Sequence, residues 1–459
     1  MNALSDETFA IAQYWFVKGL ALNYLSAFAS LFVQVLGLYG SKGIVPISVY
    51  LQTVKRHFNK KAFLEVPTVF WWNSSDHFIR CVAALGMLFA ALACFGVFPS
   101  LMLILLWCLY LSFMSVGSSF LSFQWDCLLL EVGFSAILFS LLTPPPFLLV
   151  VLMWVLLFRL MFSSGVVKLL SGCPEWAAWR AMTIHYESQP LPNPIAYFMH
   201  QQPKWFAKVS VLFLLFIEII VPFFIFAPEP MRLAACFLMI FLQILIMLTG
   251  NYAFFNTLTI VMCLPLLSDQ RWSGNATAPT FASYGTIEQI AYGLLSLYAA
   301  FMIVMNAFVV AGLFTTNRGF NRFRACFEGY YILNGYGLFA CMTTVRNEIT
   351  IQGSNDGKEW KTYEFKWKPG DLKTMPKQVA PHQPRLDWQM WFAALGSPRQ
   401  EQWFTSFLQR LREGSDDVLN LLKTNPFPEA PPKFLRTKID QYHFTDTSTL
   451  RQTGEWWKL

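Results

Sequence analysis

The stretch FLLVVLMWVLLFRLMF, residues 147–162, is apolar throughout except for Arg159, and the same run continues to Lys168. A helix needs about 20 such residues to cross the ~30 Å hydrocarbon core of a bilayer, so this run reads as a membrane span. Two others carry the same contradiction. Glu131 sits in CLLLEVGFSAILFSLL (127–142) and Glu218 in VLFLLFIEIIVPFFIF (211–226). A charge at mid-bilayer costs at least ~2.5–3.5 kcal/mol, so such residues face protein or a water-filled cavity. The expected fold is a polytopic α-helical membrane bundle with a polar interior.

Composition agrees. Hydrophobic residues make up 55% of the 459 and charged residues 13%, against roughly 25% charged in a soluble domain. The net charge of +7 is spread over loops and the C-terminal part. No basic block argues for nucleic acid. Lys55-Arg56-His57 with Lys60-Lys61 reads as a contact with lipid headgroups. Nine cysteines lie mostly in apolar runs, where the residue behaves as a small hydrophobe. No Cys/His spacing suits a metal, and none is expected.

Nine runs qualify as candidate spans: 15–38, 78–98, 100–121, 125–142, 146–170, 207–226, 231–249, 252–268 and 287–314. The fourth and eighth are short. The pattern divides the chain into a transmembrane domain, 1–318, and a soluble C-terminal domain, 319–459. Nine spans would put the long loops 39–77 and 171–206 on the same flank as the C-terminal domain. There the period changes to strand alternation at 346–351 and 360–367, joined through Gly353-Ser354-Asn355-Asp356-Gly357, a hairpin signal. Helices near 387–396 and 400–423 and a strand at 433–445 complete an α+β, β-sandwich-like domain. Two glycosylation sequons, at Asn73 and Asn275, fall on opposite sides in this scheme. Lysine and arginine gather on the flank with the long loops, which predicts a cytoplasmic position for it.

Within this frame Arg159 pairs best with Glu131, and Glu218 either joins an internal network or lines a substrate path. Lys168 reads as a base in a cavity or as an interfacial lysine whose stem lies in lipid. His185 and Glu187 suit acid–base work, or simply an ordered loop before three prolines. Asp126 is placed to cap the helix bearing Glu131. Trp388, Trp391 and Phe392 form a helical stripe that is either core or a client-binding patch.

Several strings resemble the lipase maturation factor family: FQWDCLLLEVGF (123–134), SGVVKLLSG (164–172), HYESQPLPNP (185–194), GNYAFFNTLTI (250–260), VAPHQPRLDWQMWFAALG (379–396) and NPFPEAPPKFLR (425–436). The resemblance covers almost the whole chain. It implies a multi-pass, non-enzymatic maturation factor that acts on a client protein such as a lipase. It also implies the endoplasmic reticulum membrane for a eukaryotic chain, or the inner (plasma) membrane for a bacterial one. For a eukaryotic chain the flank with the loops would then be lumenal, the reverse of the charge rule. Membrane lipid is the other expected partner, and no cofactor is expected. A narrower similarity links Gly165-Val166-Val167-Lys168-Leu169 to the Gly-Val-Lys-Lys-Leu string of vitamin K-dependent γ-glutamyl carboxylases. It implies a membrane-embedded enzyme with Lys168 as base on a lipid- or quinone-like substrate. Val167 departs from that string.

Overall fold

A computed structural model describes residues 7–273, 284–315, 318–396 and 401–459. The apolar runs become helices, named here in chain order: α1 (Ala10–Phe32), α2 (Asp76–Cys94), α3 (Pro99–Val116), α4 (Gln124–Phe139), α5 (Phe147–Leu170), α6 (Lys204–Phe226), α7 (Glu229–Thr249), α8 (Phe255–Cys263) and α9 (Thr286–Ala311). Among the described residues, seven of these, all but α4 and α8, are long and apolar enough to cross a bilayer. The other two, α4 and α8, are the fourth and eighth runs, short in the sequence as well. The 16 residues of α4 rise about 24 Å, short of the hydrocarbon core.

Burial explains how α4 can be short. Trp125, Leu129, Val132, Ala136 and Phe139 are all covered by protein, and Pro144–Pro146 prevent its continuation. Both short helices nevertheless connect the two flanks of the bundle. Gln13, near the start of α1, donates to the carbonyls of Phe139 (2.5 Å) and Leu142 (2.7 Å) beyond the end of α4. At its other end Asp126 meets the C-terminal region. Likewise Asn251, just before α8, bonds the C-terminal region. After α8, Asp269 accepts from the backbone N–H groups of Ala10 and Ile11 at 2.7 and 2.9 Å, satisfying free donors at the start of α1.

The C-terminal region contains strands β1 (Asn347–Ser354), β2 (Lys361–Tyr363) and β3 (Phe434–Gln441), antiparallel in the order β2-β1-β3. Ile351 faces Tyr363 on one side and Thr437 on the other. Asp356 shapes the turn after β1 by accepting from the N–H groups of Lys358 and Glu359, with Gly357 at φ +75°. A second ribbon pairs β4 (His443–Phe444) with β5 (Trp457–Lys458). Helix α10 (Arg385–Leu395) packs on β1, where a sandwich would place its second sheet. The region is thus α+β, with two small antiparallel sheets. Helix α11 (Gln402–Glu413) stops at Gly414, whose φ of +69° ends the longer helix expected over 400–423. Of the two sequons, Asn73 lies just before α2 and Asn275 lies outside the described residues.

Candidate functional site

The charges buried in apolar helices meet partners. Arg159 of α5 bonds Glu131 of α4 at 2.5 Å and Asn306 of α9 at 2.5 Å. The second oxygen of Glu131 accepts from the Tyr336 hydroxyl (2.5 Å) and the Asn334 amide (3.1 Å). The Arg159 guanidinium lies 5.2 Å from the centre of the Tyr336 ring. One network therefore ties three helices to the chain that follows them. Buried polar networks in which each charge meets its partner hold one arrangement against its alternatives.

Asp126 does not cap α4. The helix begins without a side-chain cap, and Asp126 instead takes both guanidinium nitrogens of Arg385 at 2.9 Å and the Tyr110 hydroxyl. Arg385 also donates to the Phe120 carbonyl at 2.6 Å. Neither Asp126 nor Arg385 is exposed. A third anchor is Arg346, which donates to the carbonyls of Glu187 (2.8 Å), Gln189 (2.5 Å) and Pro190 (2.9 Å) and pairs with Glu348 at 2.8 Å. Asn251 is a fourth. It accepts from the N–H groups of Val379 and Ala380 and donates to the carbonyls of Leu191 and Lys377. Sequence reasoning singled out none of Arg385, Arg346 or Asn251, although Arg385 and Asn251 lie inside strings it quoted. Arg410 and Ser415 reach the carbonyls of Gly43 and Lys42 in the first long loop. The C-terminal region is thus seated on the first long loop, the start of α4, the 187–191 segment and the loop before α8.

Beside this seat lies a cavity of about 620 Å³, walled mainly by apolar groups of α5, α6, α7, α8 and α10. Lys168 reaches into it. Its ammonium donates to Glu218 at 2.6 Å and to the Ser164 carbonyl at 2.9 Å, and sits 5.5 Å from the Trp176 ring centre. Glu218 rides on a π-helical turn, Phe216–Ile220, inside α6. Such turns redirect a side chain within a helix and recur at functional sites. Gly165 allows α5 and α6 to meet here, because a Cβ would fall 2.6 Å from Ile219 and 2.9 Å from Glu218.

His185, on the short helix Met182–Ser188, also lines the cavity. It is 2.9 Å from the Tyr252 hydroxyl, which donates to Gln189 at 2.8 Å. Burial, aided by the positive Lys168, pushes the His185 imidazole down to about 4. Lys168, Glu218 and His185 are therefore brought to one cavity, whereas Asp126, Glu131 and Arg159 are not among its walls.

Trp388, Trp391 and Phe392 line its outer part. Trp388 and Trp391 are buried, the first against Trp125 and Phe123, the second donating to the Ser188 carbonyl at 2.9 Å. Only Phe392 is exposed, at 43%. A client patch formed by all three is corrected for that reason, since two of the three rings are already covered. Among the described residues no group of three or more His, Cys, Asp and Glu is arranged to hold a metal.

Comparison with known proteins follows the same two-part layout. Residues 11–274 match the lipase maturation factor transmembrane domain and residues 332–459 the lipase maturation factor C-terminal domain. Lipase maturation factor 2 of Gallus gallus is 34% identical, over 96% of this chain and 79% of its own length. For lipase maturation factor 2 of Homo sapiens the figures are 33%, 96% and 80%. For lipase maturation factor 1 of Bos taurus they are 32%, 98% and 87%. No solved structure matches. None of this supports the carboxylase-like reading of Lys168. Matched at this level along nearly its whole length, and with both domain models in their expected places, the chain belongs to the lipase maturation factor family.

Proposed function

We propose that this multi-pass membrane protein is a maturation factor that helps a client, a folding lipase, reach its active form at the endoplasmic reticulum membrane. The match to lipase maturation factors 1 and 2 over nearly the whole chain carries the reading. The architecture fits it. A transmembrane part, 1–318, would hold the protein among bilayer lipids, and a C-terminal part, 319–459, would meet the client. The 187–191 segment and the first long loop contribute to the same flank. Phe392 and Leu395 are the apolar side chains of α10 left exposed there, and they are the surface we assign to client contact.

The test is the specific activity of a secreted lipase in cells with and without this chain. Activity per molecule of lipase should fall when the chain is removed and return when it is restored. Unchanged lipase activity in cells lacking it would refute the reading.

A further inference from the structure

We propose that the cavity beside Lys168 is a binding site for an uncharged, single-chain acyl lipid with hydroxyl groups on its head, of the monoacylglycerol class. The proposal rests on the cavity alone and does not require a lipase client.

Shape comes first. The lining runs along α5 from Leu160 to Lys168, eight residues or about 12 Å of helix. The volume of about 620 Å³ lies within the ~300–1,000 Å³ usual for small-molecule sites. Leu160, Leu214, Ile246 and Phe255 make the walls apolar along this length. Interiors are normally packed without voids larger than a water molecule, so a space of this size with such walls is built for an apolar occupant.

The mouth shows where the occupant comes from. Phe392 and Leu395 line the cavity and are both exposed at 43%. The outer faces of α6 and α7 expose Phe216, Phe237, Phe241 and Leu248, as lipid-facing helices do. The cavity opens beside Phe392 and Leu395, between α10 and the two helices α6 and α7 whose outer faces meet lipid, so its occupant comes from the bilayer.

The polar end selects the head. Lys168 and Glu218 are paired at 2.6 Å, so together they carry no net charge. The pair uses one oxygen of Glu218, and the other has no partner among the described residues. Gln243 and Asn256, two further lining residues, add amide dipoles to this end of the cavity. An acceptor left without a donor costs about 1–3 kcal/mol, and a hydroxyl group supplies what the second oxygen of Glu218 lacks. A carboxylate head brings no donor, a phosphate head brings extra negative charge, and both are repelled by Glu218. A quaternary amine adds no donor of its own and is repelled by Lys168. The acyl chain then lies along the apolar walls toward Phe392.

The experiment uses the full chain in lipid nanodiscs and a fluorescent monoacylglycerol as probe. Unlabelled monoacylglycerol should displace the probe at a concentration at least about tenfold lower than the fatty acid or lysophosphatidate of the same chain length. Ser210→Trp or Leu214→Trp, each filling the cavity, should weaken probe binding by at least about tenfold. Equal or better competition by the anionic lipids overturns the choice of head. Binding that persists in the filled variants, or no displaceable binding to the unaltered chain, overturns the site. The competition series on the unaltered chain stands even if both filled variants fail to fold. Loss of lipase maturation without loss of probe binding, or the reverse, separates this proposal from the client reading.

Discussion

Replacing Arg385 with methionine should loosen the C-terminal region from the membrane helices more than any other single change at the seat. Arg385 has no exposed surface, and it supplies two bonds of 2.9 Å to Asp126 and one of 2.6 Å to the Phe120 carbonyl. Methionine fills much of the same volume but leaves Asp126, itself fully buried, with only the Tyr110 hydroxyl. Removing one partner of a buried ion pair costs about 3–5 kcal/mol, because the other charge stays behind uncompensated. At 1.4 kcal/mol per tenfold, the seated form loses roughly two to three and a half orders of magnitude against the loosened one. Limited proteolysis of the 340–459 region in detergent, with thermal unfolding in parallel, reads this directly. The companion is Arg385→Met with Asp126→Leu. Exchanging a whole buried pair for apolar groups is close to neutral, so the double variant should recover much of the loss. A single variant within about 1 kcal/mol of the unaltered protein, or a double variant no better than the single, would refute the reasoning.

Asn251→Ala strips acceptors from the Val379 and Ala380 N–H groups and donors from the Leu191 and Lys377 carbonyls. At about 1–3 kcal/mol for each buried group left unsatisfied, it should make the same region protease-sensitive while the helical circular dichroism signal persists. Gly165→Val places atoms against Ile219 and Glu218. Overpacking of that kind costs about 1–3 kcal/mol and should lower the unfolding temperature, whereas Gly293→Ala, at a position open to space, should not. Burial holds His185 and His382 down to about 4, below the ~6.5 of an unfolded histidine. The unfolded chain therefore binds the extra protons, and stability that is complete above pH ~6.5 drains away as pH falls toward 4, by roughly 3 kcal/mol per histidine at most. Unfolding temperatures of His185→Gln/His382→Gln should depend less steeply on pH over that window; an equal slope would show that neither group matters.

What the sequence made legible was set by local chemistry. Lone charges in long apolar runs demanded buried partners, and Glu131 with Arg159 supplied one such pair from adjacent helices. Strand alternation at 346–351 and the Gly353–Gly357 turn became the β1–β2 hairpin. What escaped was non-local. The partner of Asp126 lies 259 residues further on, and the partner of Glu218 lies 50 residues before it. No periodicity records either distance. Helices α4 and α8 run short of the 20-residue rule, as their sequences showed, because that rule describes a helix in contact with lipid and these two are largely covered by protein. Strings that looked like separate fragments, HYESQPLPNP, GNYAFFNTLTI and VAPHQPRLDWQMWFAALG, turn out to touch one another through Asn251, Trp391 and Ser188.

The network around Glu131 and Asp126 alters what can be learned by cutting the protein in two. Tyr336, Asn334 and Arg385 belong to the tail by position, yet they quench acids that sit within the helices. A shortened protein ending near residue 330 would not be an intact anchor lacking its appendage. It would leave Asp126 without its cation and one oxygen of Glu131 without donors in an apolar setting, and any defect it showed would mix lost client contact with a damaged scaffold. Single changes on the outer rim, such as Phe392→Ser, leave that wiring untouched, and read beside probe binding they separate client contact from the cavity.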